Sequence, residues 1–283
     1  LIALSTGSLH TYGLSRVFSL AAEVGFEGVE IMVDRPNDNR NASYLRHLSE
    51  KHGLPIVALH SPFVRSVPNW PANQLGRLER TVALAQELDV PVVVTHLPYR
   101  VYGLRCEWHG ARLRRLFLPV FLPRREPYYH LLRHVERLAQ MEADSGVTVA
   151  VENMPSRRLL GLHLSMYWFN GWDELARFPH LTLDTTHVGT WGADLLEVYA
   201  KLAHRVAHVH LSNYDGREHR LPPDGRLSLD ALLHCLARDG YRGAISVESG
   251  PDAFGAEDER ACRAALERTL AFCQKHYRTD TFE

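Results

Sequence analysis

Eight times along this chain a short, continuously apolar run ends on a polar turn, and a stretch of helical spacing follows. The runs span residues 2–5, 28–33, 55–59, 91–95, 147–151, 181–183, 206–209 and 243–247. The runs are short and close to continuously apolar, so neither face of these strands is meant for water. Strands apolar on both faces belong to parallel sheets covered by helices. The intervening segments 14–24, 42–52, 72–88, 128–144, 172–178, 194–204, 229–238 and 257–277 carry apolar residues at helical intervals. Several of these helices meet a glycine, as at Gly25, Gly53, Gly146 and Gly240. Eight strand–helix units are the count of a (β/α)8 barrel. No linker or shift in composition divides the chain, so residues 1–283 are expected to form one α/β domain, a single TIM barrel.

One segment breaks the rhythm. Residues 99–127, after the fourth strand, hold Arg100, Arg105, Arg112, Arg114, Arg115, Arg124 and Arg125 among the apolar residues 116–118 and 120–122. We expect an inserted loop or short helix here, because long loops in compact domains usually serve as lids or binding loops. Pro119 and Pro123 would break an amphipathic helix, which argues against a membrane-surface role. The arginines have two readings, phosphate contacts or a solvated loop. The apolar run suggests a homo-oligomer interface.

Bulk properties exclude more than they select. A net charge of −1 gives no general pull toward nucleic acid or anionic membranes, and neither is expected as a partner. No uncharged apolar run is long enough to span a bilayer. Residues 1–4 are too short for a signal peptide and lack a basic region. Cys106, Cys235, Cys262 and Cys273 form no C-x-x-C pair and read as reduced thiols of a cytoplasmic protein.

The chemistry collects where the strands end. There the chain places His60, His96, Glu152, Asp184, His210 and Glu248. Strand C-terminal ends of a closed parallel barrel converge on one mouth, where such barrels build their active sites. Three carboxylates brought together without Lys or Arg repel one another, so a divalent metal is expected among them. Three carboxylates with one histidine suit Mn2+, Mg2+ or Co2+. Adding His60 and His96 shifts the preference toward Zn2+. Of the 17 histidines, those in helical, charged surroundings such as His47, His52, His234 and His276 read as structural.

With those residues in hand, the chain resembles the xylose-isomerase-like TIM-barrel superfamily. The matching pieces run in order: residues 60–63 (HSPF), 94–96 (VTH), 151–153 (VEN), Asp184 with His187, 208–210 (HVH), the loop 217–225 and Glu248. By resemblance to its ketose 3-epimerases, Glu152, Asp184, His210 and Glu248 hold one metal. Glu152 and Glu248 then form the acid/base pair, while His187 and Arg217 contact substrate oxygens. By resemblance to the endonuclease IV family, His60, His96 and Glu152 hold a first zinc and the other four-residue set a second. A third zinc there requires His187, His219 and a carboxylate where this chain has Arg217. Asp215 or Glu218 would take that role only if the register slipped.

The resulting expectation is a metal-dependent isomerase or epimerase of a small sugar or sugar phosphate, using one or two ions of Mn2+, Zn2+, Co2+ or Mg2+. Proton transfer would run through a metal-stabilised enediolate between Glu152 and Glu248. His60 and His96 either complete a second metal site or bind substrate hydroxyls with His187, Arg217 and His219. Phe63, Trp108, Trp168 and Trp191 are candidates for apolar walls. The alternatives are an endonuclease IV-like zinc phosphodiesterase acting on abasic-site DNA, a polyol dehydratase, and a non-catalytic scaffold on the same fold. Fold alone does not choose among them.

Overall fold

Parallel strands cannot be joined by tight turns, so each apolar run must return through a crossover, and the crossover helix covers the sheet. The computed structural model describes residues 1–64, 66–107, 115–121, 124, 126–159 and 161–277. The eight expected runs become β1 (Ile2–Ser5), β2 (Gly28–Met32), β3 (Ile56–His60), β4 (Val92–Thr95), β7 (Thr148–Glu152), β10 (Leu181–Asp184), β11 (Val206–Leu211) and β12 (Ala244–Val247). They close into a barrel in the order β1-β12-β11-β10-β7-β4-β3-β2, every pair parallel. The fold is a (β/α)8 TIM barrel.

Two layers of apolar packing follow. Leu4, Val29, Ile31, Leu59, Val93, Val149, Val209 and Ile245 are fully buried in the main core. Leu45, Leu78, Leu138, Leu232 and Leu266 from the helices join them. Ala3, Ala58 and Val94 form a second, smaller cluster with Val57. Among the described residues no helix is long and apolar enough to cross a membrane.

The connections depart from expectation in four places. The insertion after the fourth barrel strand is neither loop nor helix. It is an antiparallel ribbon of β5 (Val101–Glu107) and β6 (Arg115–Phe121), with Gly103 opposite Pro119. Pro119, which argues against a helix, is compatible with an isolated ribbon, whose outer edges need no ladder donors; Pro123 lies outside the described residues. Trp108, Arg112, Arg114, Leu122 and Arg125 lie outside the described residues. A second ribbon, β8 (Ser156–Leu159) and β9 (Leu162–Ser165), follows β7 and leaves Leu162 and Leu164 exposed. Helix 128–144 is two helices, α4 (Pro127–Arg133) and α5 (Val135–Ser145), because the backbone at His134 leaves the helical region. Finally, a short helix α7 (Thr185–Trp191) starts directly from the end of β10.

Candidate metal centre

The parallel register sets which side chains meet. Asp184 of β10 pairs with His210 of β11, and Thr182 with Glu152 of β7. Beside β11, the backbone N–H of Glu248 donates to Leu211 O. Asp184 is held at both ends of its backbone by Asn153, which accepts the Asp184 N–H (2.8 Å) and donates to its carbonyl (3.0 Å). Its Oδ1 caps α7 by accepting the His187 N–H at 2.9 Å. One residue thus ends a strand, starts a helix and aims its other oxygen inward.

Glu152 divides the centre. Its Oε2 lies 3.0 Å from His96 Nε2 and 3.4 Å from His60 Nε2. Its Oε1 lies 3.4 Å from both His187 Nδ1 and His210 Nδ1. His210 Nδ1 is also 2.9 Å from Glu248 Oε2 and 3.9 Å from Asp184 Oδ2. Among the described residues three groups of ligand atoms face the barrel mouth, His60, His96 and Glu152; Glu152, Asp184, His210 and Glu248; and His187, Glu218 and His219; a fourth, Glu30, His208 and His210, lies behind them.

The donor set fits a divalent cation. Asp184 Oδ2 is buried and has no hydrogen-bond partner, with the His187 ring near it at 3.4 Å, a costly state for a carboxylate oxygen that a metal cation would relieve. Three histidines have Nδ1 against a backbone carbonyl: His60 on Ser61 O (2.9 Å), His187 on Asn153 O (2.8 Å) and His219 on Glu248 O (3.0 Å). A ring that donates through Nδ1 presents a bare Nε2, the ligand form of imidazole, and this arrangement is characteristic of metal-bound histidine. The tautomers follow from the hydrogen-bond network.

Electrostatics agree. Burial pushes the Asp184 carboxyl up to about 6, with Glu152 and Glu248 adding repulsion. Burial works against a charged His187, but Asp184 and Glu152 outweigh it and hold the ring up at about 10. Burial likewise opposes ionised Glu152, yet His96, His187 and His210 keep it well below the usual carboxylate range. Glu248 is lowered in the same way, chiefly through His210 against burial. Protons on the rings balance the carboxylates where a cation would otherwise do so.

The expected strand-end residues all arrive in one place. A cavity of about 540 Å³ opens over them, lined by His60, His96, Glu152, His187, His219 and Glu248, with Met32, Asp34, Phe63 and Tyr167 on its sides. Phe63 stacks on His96 at 5.2 Å between ring centroids. Trp191 and Trp168 do not line it: Trp191 donates to Met154 O, and Trp168 lies beneath Arg100 and Arg124. Arg217 also stands apart. Its side chain is 68% exposed and pairs with Asp215 at 3.2 Å. Asp215 Oδ1 also accepts the Arg217 N–H, and Gly216 turns the chain with φ 108°. That turn brings Glu218 to the histidines, its Oε2 4.0 Å from His187 Nε2. His219 follows in the left-handed region (φ 57°), held by a hydrogen bond from its N–H to Thr186 Oγ1. Such a backbone is uncommon for a non-glycine residue and clusters at functional sites.

One pair of residues escaped sequence reasoning. Glu30 on β2 and His208 on β11 are fully buried directly behind His210. A carboxylate inside the apolar run GVEIM was the available signal, since Glu is almost never fully buried without a partner.

The family model described as xylose isomerase-like TIM barrel matches residues 18–271. The uncharacterized protein ML2432 of Mycobacterium leprae is 28% identical, with 97% of each chain covered. Among solved structures, D-psicose 3-epimerase with D-tagatose from Clostridium cellulolyticum superposes with a TM-score of 0.66 at 14% identity, covering 98% of this chain and 99% of that one. An AP endonuclease of family 2 from Brucella melitensis gives 0.65 at 20% identity, covering 97% and 98%. At these identities the structural matches establish the fold.

Proposed function

This chain belongs to the xylose isomerase-like TIM-barrel family, and from that premise we propose that it is a metal-dependent isomerase or epimerase of a small sugar or sugar phosphate. The observation that carries the reading is the convergence of Glu152 and Glu248 on His210 Nδ1, beside an Asp184 Oδ2 without a hydrogen-bond partner, at the floor of a cavity of sugar size. Glu152, Asp184, His210 and Glu248 would hold the cation, with His60 and His96 offering a second position through Glu152. Bound there, a divalent cation supplies Lewis-acid polarisation of a carbonyl oxygen.

The residues divide the remaining work. Glu152 and Glu248 are both kept ionised by neighbouring histidines, the state required of a base that takes a proton beside a carbonyl. Both carboxylates line the cavity, and Glu248 is the more open of the two. His187 and His219 turn Nε2 away from their backbone partners, in position to orient substrate oxygens. Phe63, half exposed at the rim, offers an apolar wall that limits water. The test is metal-loaded protein incubated in D2O with a panel of ketoses and ketose phosphates, followed by NMR. Solvent deuterium should appear at the carbon beside the carbonyl in at least one substrate. No exchange with any member, under loading that saturates the protein, would count against the reading.

A second reading has its own observation. Glu218, not Arg217, faces His187 and His219, so a carboxylate joins the third group of ligands after all. This supports an endonuclease IV-like zinc phosphodiesterase. Metal stoichiometry separates the two: one or two ions per chain fit the first reading, and three zinc ions with cleavage of abasic-site DNA fit the second.

A further inference from the structure

His210 differs from His60, His187 and His219 in having only carboxylates, and no backbone carbonyl, against Nδ1. His60, His187 and His219 each have Nδ1 on a backbone carbonyl. His210 presents Nδ1 to Glu152, Asp184 and Glu248, so its far nitrogen, Nε2, must be held by something else. That partner is Glu30. Glu30 Oε2 accepts from His210 Nε2–H at 3.1 Å and from His208 Nε2–H at 2.6 Å, while Oε1 accepts from Ser5 Oγ–H at 3.2 Å. All four residues are fully buried.

We propose that Glu30 is a positioning residue for the metal centre: by accepting the Nε2–H of both His208 and His210, it fixes the His210 ring with Nδ1 facing Glu152, Asp184 and Glu248, the nitrogen that a cation would take in place of its proton. The inference rests on the metal-centre reading above. A buried carboxylate is sustained only by converging donors, and Glu30 has three. His208 supplies the shortest of them and leaves its own Nδ1 buried and unpartnered. His208 therefore serves to hold Glu30. The two rings stand at 89° with centroids 5.2 Å apart, so each reaches the same oxygen from its own side. Glu30, His208 and His210 also group their ligand atoms closely, but the triad lies behind His210 and off the cavity wall. Neither Glu30 nor His208 is among the described residues lining the cavity. A carboxylate on the outer nitrogen also raises the basicity of a ligating imidazole, and loss of such a partner typically costs 10–100-fold in metal affinity.

The test compares wild type, Glu30→Gln and Glu30→Asp by two readouts. The first is the ring 15N shifts of His210 in metal-free protein, assigned with a His210→Gln variant. The second is the Co2+ dissociation constant, read from visible absorption. Glu30→Gln keeps the volume and one acceptor but removes the charge; Glu30→Asp keeps the charge and loses the reach. We expect altered His210 ring shifts in both variants and Co2+ binding weaker by roughly 10–100-fold. Unchanged ring shifts with Co2+ affinity within about twofold of wild type would overturn the proposal. If wild type binds no Co2+ but the His210 shifts still depend on Glu30, the positioning role stands and the metal reading falls. If wild type binds none and the shifts ignore Glu30, both fall.

Discussion

Asp184 and His210 are register partners on β10 and β11, yet Asp184 Oδ2 stops 3.9 Å from His210 Nδ1 and has no hydrogen-bond partner, its nearest ring nitrogen being His187 Nδ1 at 3.4 Å. The gap to His210 is wide for a hydrogen bond and suited to two ligands of one ion. It makes the metal-free centre a source of instability. Mn2+, Co2+ or Zn2+ at 100 times its dissociation constant should therefore stabilise the fold by about 2.7 kcal/mol. Thermal melting with and without EDTA measures this. Asp184→Asn should lose most of the metal-induced shift without lowering the melting temperature of the metal-free protein. An equal metal shift in the variant would remove Asp184 from the ligand set.

The same charges set a pH dependence. Burial disfavours a charged His187 ring, but Asp184 and Glu152 hold its pKa up at about 10. Without metal the ring is thus protonated at pH 7, and a cation held on neighbouring Asp184 and Glu152 would repel that proton. Metal affinity should accordingly rise with pH through the neutral range and level off as the ring loses its proton near 10. Isothermal titration in buffers of different ionisation heat should report release of about one proton or more per ion at pH 7. Heats that do not depend on the buffer would contradict the assigned protonation.

If Glu152 and Glu248 exchange the proton, each must pass through both forms, ionised to take the proton and protonated to return it. Glu152→Gln and Glu248→Gln should each lower turnover by roughly 10²–10⁴-fold, with circular dichroism unchanged. Glu152→Gln should in addition weaken metal binding more, because both of its oxygens face ligand groups. Full activity in either variant would end the acid/base assignment.

Arg217 and Glu218 offer a contrast between neighbours. The Arg217 guanidinium lies outside the cavity on Asp215, while Glu218 reaches toward His187. Arg217→Ala should leave the folding stability within about 0.5 kcal/mol of wild type, as for most surface changes, and should leave KM within a few-fold. Glu218→Gln should change the metal stoichiometry or KM. A large rise in KM from Arg217→Ala alone would show that the loop turns over when substrate binds.

The barrel was legible because its strands are written as apolar runs, six of which end at a histidine or carboxylate of the candidate centre. His60, Glu152, Asp184 and His210 needed only the assumption that strand ends share one mouth. What the sequence hid was orientation. Whether Arg217 or Glu218 faces the histidines depends on the left-handed turn at Gly216, a single dihedral choice. Glu30 was hidden because a lone carboxylate in a strand looks like an outward residue until barrel closure places it opposite His208. The ribbon after β4 was missed because prolines and arginines in an apolar segment suggest irregular backbone, and its pairing becomes visible only in register.

The loop that carries His219 is built around Asn213. Its Nδ2 donates to Pro222 O at 2.8 Å, and its Oδ1 accepts the N–H groups of Tyr214 and Leu227. Its backbone forms a bridge with Arg220, next to His219. Gly225 packs directly on that amide: a Cβ there would lie 2.2 Å from Asn213 Oδ1. Gly225→Ala must therefore displace the residue that folds the loop. Overpacking of this kind costs about 1–3 kcal/mol, and here it should also shift the His219 imidazole. We expect a lower denaturation midpoint in urea together with weaker substrate or metal binding, while Gly13→Ala, with nothing within 4 Å of its added Cβ, serves as the control. A Gly225→Ala protein with wild-type midpoint and binding would mean that Asn213 does not hold the loop as its hydrogen bonds indicate.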